Sequence, residues 1–119
     1  MNTLYIKILV IILLFLGEAL SIYAEILAAK NQDINSKPFL QIFIKMFFII
    51  TIAGGLLIVG YMIGINAFKN IWIVSVASIT SILIIEPILA YLIFKQLPTT
   101  GAIIGLILGA LGFIATIFL

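Results

Sequence analysis

The sequence predicts an all-α integral membrane protein, with four transmembrane helices in an antiparallel bundle. Three observations carry that prediction. Of 119 residues, 66% are hydrophobic and only 8% are charged, against roughly 25% charged in a soluble domain. The apolar residues fall into four unbroken runs, each close to or above the roughly 20 residues that cross a bilayer as a helix. Short turns separate the later runs, so consecutive helices reverse direction and both termini emerge on one side. The short segments of alternating polarity that a transmembrane β-barrel needs do not occur. At this length the runs make one domain, residues 1–119, with almost no mass outside the membrane.

The first run covers residues 4–29. Lys7 ahead of an apolar stretch also fits a cleaved signal peptide. The length of the run, its two glutamates and the lack of a small-x-small cleavage site argue for a permanent helix instead. Residues 30–38 (KNQDINSKP) form the one clearly hydrophilic connection, and Pro38 suits the first turn of a second helix. That second run covers 39–68, with Lys45 about one turn in, where its ammonium can snorkel to the headgroups. Lys69-Asn70 then leads into the third run, 71–94, and residues 95–100 (KQLPTT) into the fourth, 101–119. Lysines near helix ends are Lys7 and Lys69 on the terminal side, against Lys30, Lys37, Lys45 and Lys95 on the other. The excess of positive charge therefore favours both termini outside. The margin is small enough for both orientations to insert. A multi-pass protein of the plasma (cell inner) membrane is expected.

Composition also excludes several functions. The six basic residues are all lysine, and histidine and cysteine are absent. Disulfides, thiol nucleophiles, histidine acid–base chemistry and the usual zinc sites are ruled out. No basic cluster exists for a nucleic acid, and no nucleophile–base pair or phosphate clamp is visible. An enzyme, a bound metal and a cofactor are not expected.

What remains is a small set of polar residues inside apolar runs. A charged group at bilayer depth costs at least about 2.5–3.5 kcal/mol on insertion scales, so it rarely sits there without a task or a partner. Glu86-Pro87 lies within the third run, which also holds Ser75, Ser78, Thr80 and Ser81. Pro87 removes one backbone hydrogen bond, frees a carbonyl and predicts a bend at or before Glu86. Ser78, Ser81 and Glu86 are expected close to one face. Two readings stand for Glu86: a neutral acid hydrogen-bonded to a serine or carbonyl, or a carboxyl that exchanges a proton for a cationic substrate. In the first run Glu18, Ser21 and Glu25 are spaced three and four apart and share a stripe. Glu18 is the deep member and a candidate buried functional carboxylate. Glu25 is one turn from the end, either part of the site or an interfacial group facing water or Lys30.

The fourth run carries Gly101, Gly105 and Gly109 at four-residue spacing, with Gly112 nearby. Small residues in register let another backbone approach closely, which predicts a packing stripe for a helix of the same chain or of a second subunit. Gly60 and Gly64 repeat the spacing more weakly in the second run, beside Tyr61.

Residues 83–119 resemble the last helix pair of the drug/metabolite transporter superfamily, the EamA-like domain: Glu86-Pro87 in the penultimate helix, a Leu97-Pro98 turn, then a glycine-rich closing helix from Gly101 to Gly112. The resemblance covers about a third of the chain. The length and four-helix layout are also similar to the small multidrug resistance proteins and their relatives, in which a first-helix glutamate is the shared proton and cation site. Glu18 is the position that matches it. Those proteins place a Tyr and a Trp on the third helix, where Ser75 and Ser78 stand here, so the resemblance does not extend to an aromatic box for hydrophobic cations. It implies a small transporter acting as a dimer in the lipid bilayer, with Glu18 and Glu86 coupling a proton or ion to a small-molecule substrate. Ser21, Glu25, Tyr61 and Ser78 are the accompanying candidates for substrate or proton binding. The alternative is a non-transporting four-helix subunit of a larger membrane complex, such as one that moves lipid-linked sugars, where some four-helix relatives work in pairs.

Overall fold

The computed structural model describes residues 3–31 and 38–119. It is all-helical: α1 is Thr3–Lys30, α2 Pro38–Phe68, α3 Ile71–Phe94 and α4 Thr100–Phe118. Each boundary falls within one residue of the expected span, and all four helices are long and apolar enough to cross a membrane. Lys37, used in weighing orientation, lies outside the described residues.

The turns are built by local capping. Lys69 closes α2 in the left-handed region, at φ 61°, and its N–H donates to the Ile65 carbonyl at 3.0 Å. Asn70 is the N-cap of α3, its side-chain oxygen accepting from the Trp72 N–H at 2.9 Å. Lys95 ends α3 with φ 59°, its N–H donating to the Tyr91 carbonyl at 2.8 Å. Thr99 caps α4 by accepting from the Ala102 N–H at 3.1 Å. Each cap satisfies a group that the helix end itself leaves unpaired. Asn70→Ala is expected to cost about 0.5–2 kcal/mol, read as an earlier unfolding midpoint in mixed micelles.

Packing radiates from α1. Val10 and Leu14 of α1 and Val74 of α3 are fully buried in one cluster. Ile22 and Ile26 of α1 with Ile85 of α3 form a second, further along. On the other side, α1 and α2 close through glycines. A Cβ at Gly17 would lie 2.7 Å from Leu57 and 3.2 Å from the Ala53 carbonyl oxygen, and one at Gly60 2.9 Å from Leu14. One at Gly64 would meet Val74 at 3.0 Å and Val10 at 3.1 Å, where α2 and α3 draw together near their turn.

The fourth helix stands apart. It contacts α3 alone among the described helices, and none of its residues is buried. The Cα envelope measures 50 × 34 × 18 Å. A closed square bundle has two similar cross-sections, so 34 against 18 Å describes a slab, with α1 between α2 and α3 and α4 at one edge. Only Gly109 of the expected fourth-helix stripe meets a neighbour, Leu83 of α3 at 3.2 Å from its would-be Cβ. Gly101, Gly105 and Gly112 face open space within this chain.

Candidate functional site

The two clusters of α1 and α3 leave a gap between them at mid-height, and polar chemistry fills it. The Ser78 hydroxyl of α3 donates to Glu18 Oε1 of α1 at 2.5 Å. Ser78 is 5% exposed and Glu18 is half-buried. Glu18 lies about 23 Å from the start of α1 and about 18 Å from its end, at 1.5 Å per residue, so the pair sits close to the middle of the span. A short hydrogen bond from a hydroxyl to a carboxyl oxygen is of the stronger, charge-assisted kind when the carboxyl is ionised. One lobe of the carboxyl is held; half-burial leaves the other accessible. That arrangement can accept or release a proton, or hold a cation, without dismantling the helix contact.

Two further hydroxyls of α3 are spent locally. Ser81, 5% exposed, donates to the Ala77 carbonyl at 2.9 Å, and Thr80 to that of Val76 at 2.6 Å. Among the described residues no buried side-chain polar atom lacks a partner.

Glu86 takes no part in the Glu18 site. It is exposed, has no hydrogen-bond or ion-pair partner among the described residues, and lines a cleft of about 610 Å³ between α3 and α4 with Pro87, Tyr91, Gly105 and Leu106. The expectation that Ser78, Ser81 and Glu86 share a face is corrected here. Glu86 is five positions beyond Ser81, which is about 140° round a helix of 3.6 residues per turn. α3 runs continuously through Pro87, from Ile71 to Phe94.

The remaining candidates scatter. Ser21 is half-buried and Glu25 exposed, although both share the Glu18 stripe of α1. Lys30 does not pair with Glu25; its ammonium donates to the Ile93 carbonyl at 2.8 Å, satisfying one of the orphan groups at the α3 C-terminus, where a cation also meets the negative end of the helix dipole. Tyr61 is half-buried and packs its ring against the Val10–Leu14–Val74 cluster. Gly17, which seats α2 directly beside Glu18, was not singled out from the sequence. Its signal is the adjacency of a glycine to a deep carboxylate.

A further cleft, of about 580 Å³, opens between α1, α3 and α4 on the side of Trp72. Glu18 lines neither cleft. Compared with known proteins, the chain matches no family model, no curated protein and no solved structure.

Proposed function

We propose that this chain is a small membrane transporter of the drug/metabolite type, coupled to protons or another cation through Glu18. One observation carries the reading: a mid-membrane carboxyl, half-buried, held on one lobe by Ser78 of the neighbouring helix. A structural anchor would need no ionisable group at that depth, whereas a residue that exchanges a proton for a substrate does. Parallel placement of α1 and α3, with α2 and α4 running back, follows from the short turns and makes both termini share one side. The lysine distribution favours that side being outside the cell.

The transporter acts as an oligomer, either a homodimer or a heterodimer with a related small membrane protein. A slab of four helices encloses no chamber of its own, and the open faces of Gly101, Gly105 and Gly112 suit a close helix partner. Glu86, exposed in the α3–α4 cleft, is the second carboxyl available to such an assembly. The same openness of α4 also favours a second reading, in which the chain is a non-transporting subunit of a pair that moves a lipid-linked substrate.

Reconstitution separates the two. Purified chain in liposomes loaded with a pH-sensitive dye is challenged, across a proton gradient, with a panel of small cationic and neutral metabolites. Dissipation of the gradient by at least one compound is expected of a transporter acting alone. Silence across the panel, together with recovery of a stable heteromer from native membranes, would decide for the subunit.

A further inference from the structure

We propose that the cleft between α1, α3 and α4 holds an acyl chain of an anionic phospholipid, with its headgroup at the Lys7–Lys69 end. The cleft runs along α3 from Trp72 to Ile84. At 1.5 Å per residue that is about 18 Å, close to the roughly 15 Å depth of one leaflet of a 30 Å hydrocarbon core. It therefore reaches from headgroup level to the middle of the bilayer, which is the path of a single acyl chain.

Its lining is suited to hydrocarbon and not to a polar cargo. The three hydroxyls in its wall, Thr80, Ser81 and Thr116, donate to the carbonyls of Val76, Ala77 and Gly112 at 2.6, 2.9 and 3.0 Å. No hydroxyl hydrogen is left for a ligand.

The headgroup assignment rests on charge. Lys7 lies one turn before Ile11 and two before Phe15, the α1 residues of the cleft wall, and its ammonium sits 5.5 Å from the Phe68 ring centroid. Lys69 directly precedes Asn70, which lines the mouth beside Trp72. All four acids lie elsewhere in the chain: Glu18 mid-span, Glu25 and Asp33 toward the α1–α2 connection, and Glu86 deep in α3. Lys7 and Lys69 are the charged side chains of this end among the described residues, and lysines at a membrane surface draw anionic lipid to it. Trp72, 74% exposed at the mouth, occupies the amphipathic belt position of an interfacial tryptophan.

Trp72 is also the single tryptophan of the chain, which makes it the reporter. The protein is placed in nanodiscs of neutral phosphatidylcholine doped with phosphatidylglycerol brominated on its acyl chains, or with equally brominated phosphatidylcholine. Phosphatidylglycerol is expected to quench Trp72 at a mole fraction about fivefold lower for each contributing lysine. Lys7→Gln with Lys69→Gln should merge the two curves. Thr116→Phe should abolish the selectivity by filling the cleft from a helix that buries no residue, so the helical circular dichroism stays as in the parent. Native mass spectrometry should find one phosphatidylglycerol retained by the parent and none by Thr116→Phe. Equal quenching by both lipids in the parent would overturn the proposal. So would selectivity that survives Thr116→Phe, since the lysines would then hold headgroups without the cleft, and so would a loss of dimer in that variant, since a second copy would then be the occupant.

Discussion

Glu18→Gln is expected to abolish transport driven by a pH gradient while leaving the protein folded. Glutamine keeps the size of the side chain and a carbonyl oxygen that still accepts from the Ser78 hydroxyl. The helix contact between the two apolar clusters is therefore retained. What is lost is the ability to bind and release a proton in the middle of the span. Coupling between two ligands typically amounts to an about 5- to 150-fold change in affinity, and that factor should fall to unity: substrate affinity in Glu18→Gln no longer depends on pH, and uptake no longer follows the proton gradient. Ser78→Ala tests the partner. Removing a hydrogen bond to a charged group costs about 1.5–3 kcal/mol, so uptake should drop by about tenfold or more while remaining gradient-driven. The measurement is uptake in proteoliposomes at matched protein density, with and without a gradient. Full gradient-driven uptake in Glu18→Gln would remove the carboxyl from the mechanism.

The largest expected effect on stability comes from Gly17→Val. A Cβ there lands 2.7 Å from the branch carbon and a methyl of Leu57, and 3.2 Å from the Ala53 carbonyl oxygen. Leu57 can swing aside only in part, and the carbonyl belongs to the α2 backbone. Overpacking of this kind costs about 1–3 kcal/mol, and separating α2 from α1 by even a few tenths of an ångström loosens the close contact that Gly17 allows between them. Gly105→Ala is the control. Nothing lies within 4 Å of its would-be Cβ, and alanine is the better helix former by up to about 1 kcal/mol. In mixed micelles the first variant should unfold earlier and the second should not. A Gly105→Ala protein that instead loses its oligomer would place the partner of α4 on that face.

These expectations divide along a line that the sequence itself draws. The four helices were legible to within a residue at each end, because desolvating a backbone in lipid leaves helix as the only solution for an unbroken apolar run, and because Pro38 and the turns at 69–70 and 95–100 interrupt those runs. The deep carboxylate of α1 was legible for the same reason: an ionisable residue inside such a run stands out against hydrocarbon. Its partner was not. Ser78 is sixty residues away, one of four hydroxyl-bearing residues between Ser75 and Ser81, and only the packing of α1 on α3 selects it.

Faces were harder still. Gly17, Gly60 and Gly64 make the close contacts, while the more regular stripe Gly101–Gly105–Gly109 meets its own chain only at Gly109. In water the hydrophobic period of a helix reveals its buried side. In a membrane the lipid-facing and protein-facing surfaces are equally apolar, so period and composition carry little information about which side packs. The amino-acid sequence alone thus determined the number, extent and ends of the helices and the depth of Glu18 within the first. Only the tertiary structure decided that Glu18 meets Ser78, that Glu86 opens onto a separate cleft, and that α4 stands at the edge of a slab, because in a hydrocarbon solvent the neighbour of each face is chosen by shape and not by hydrophobicity.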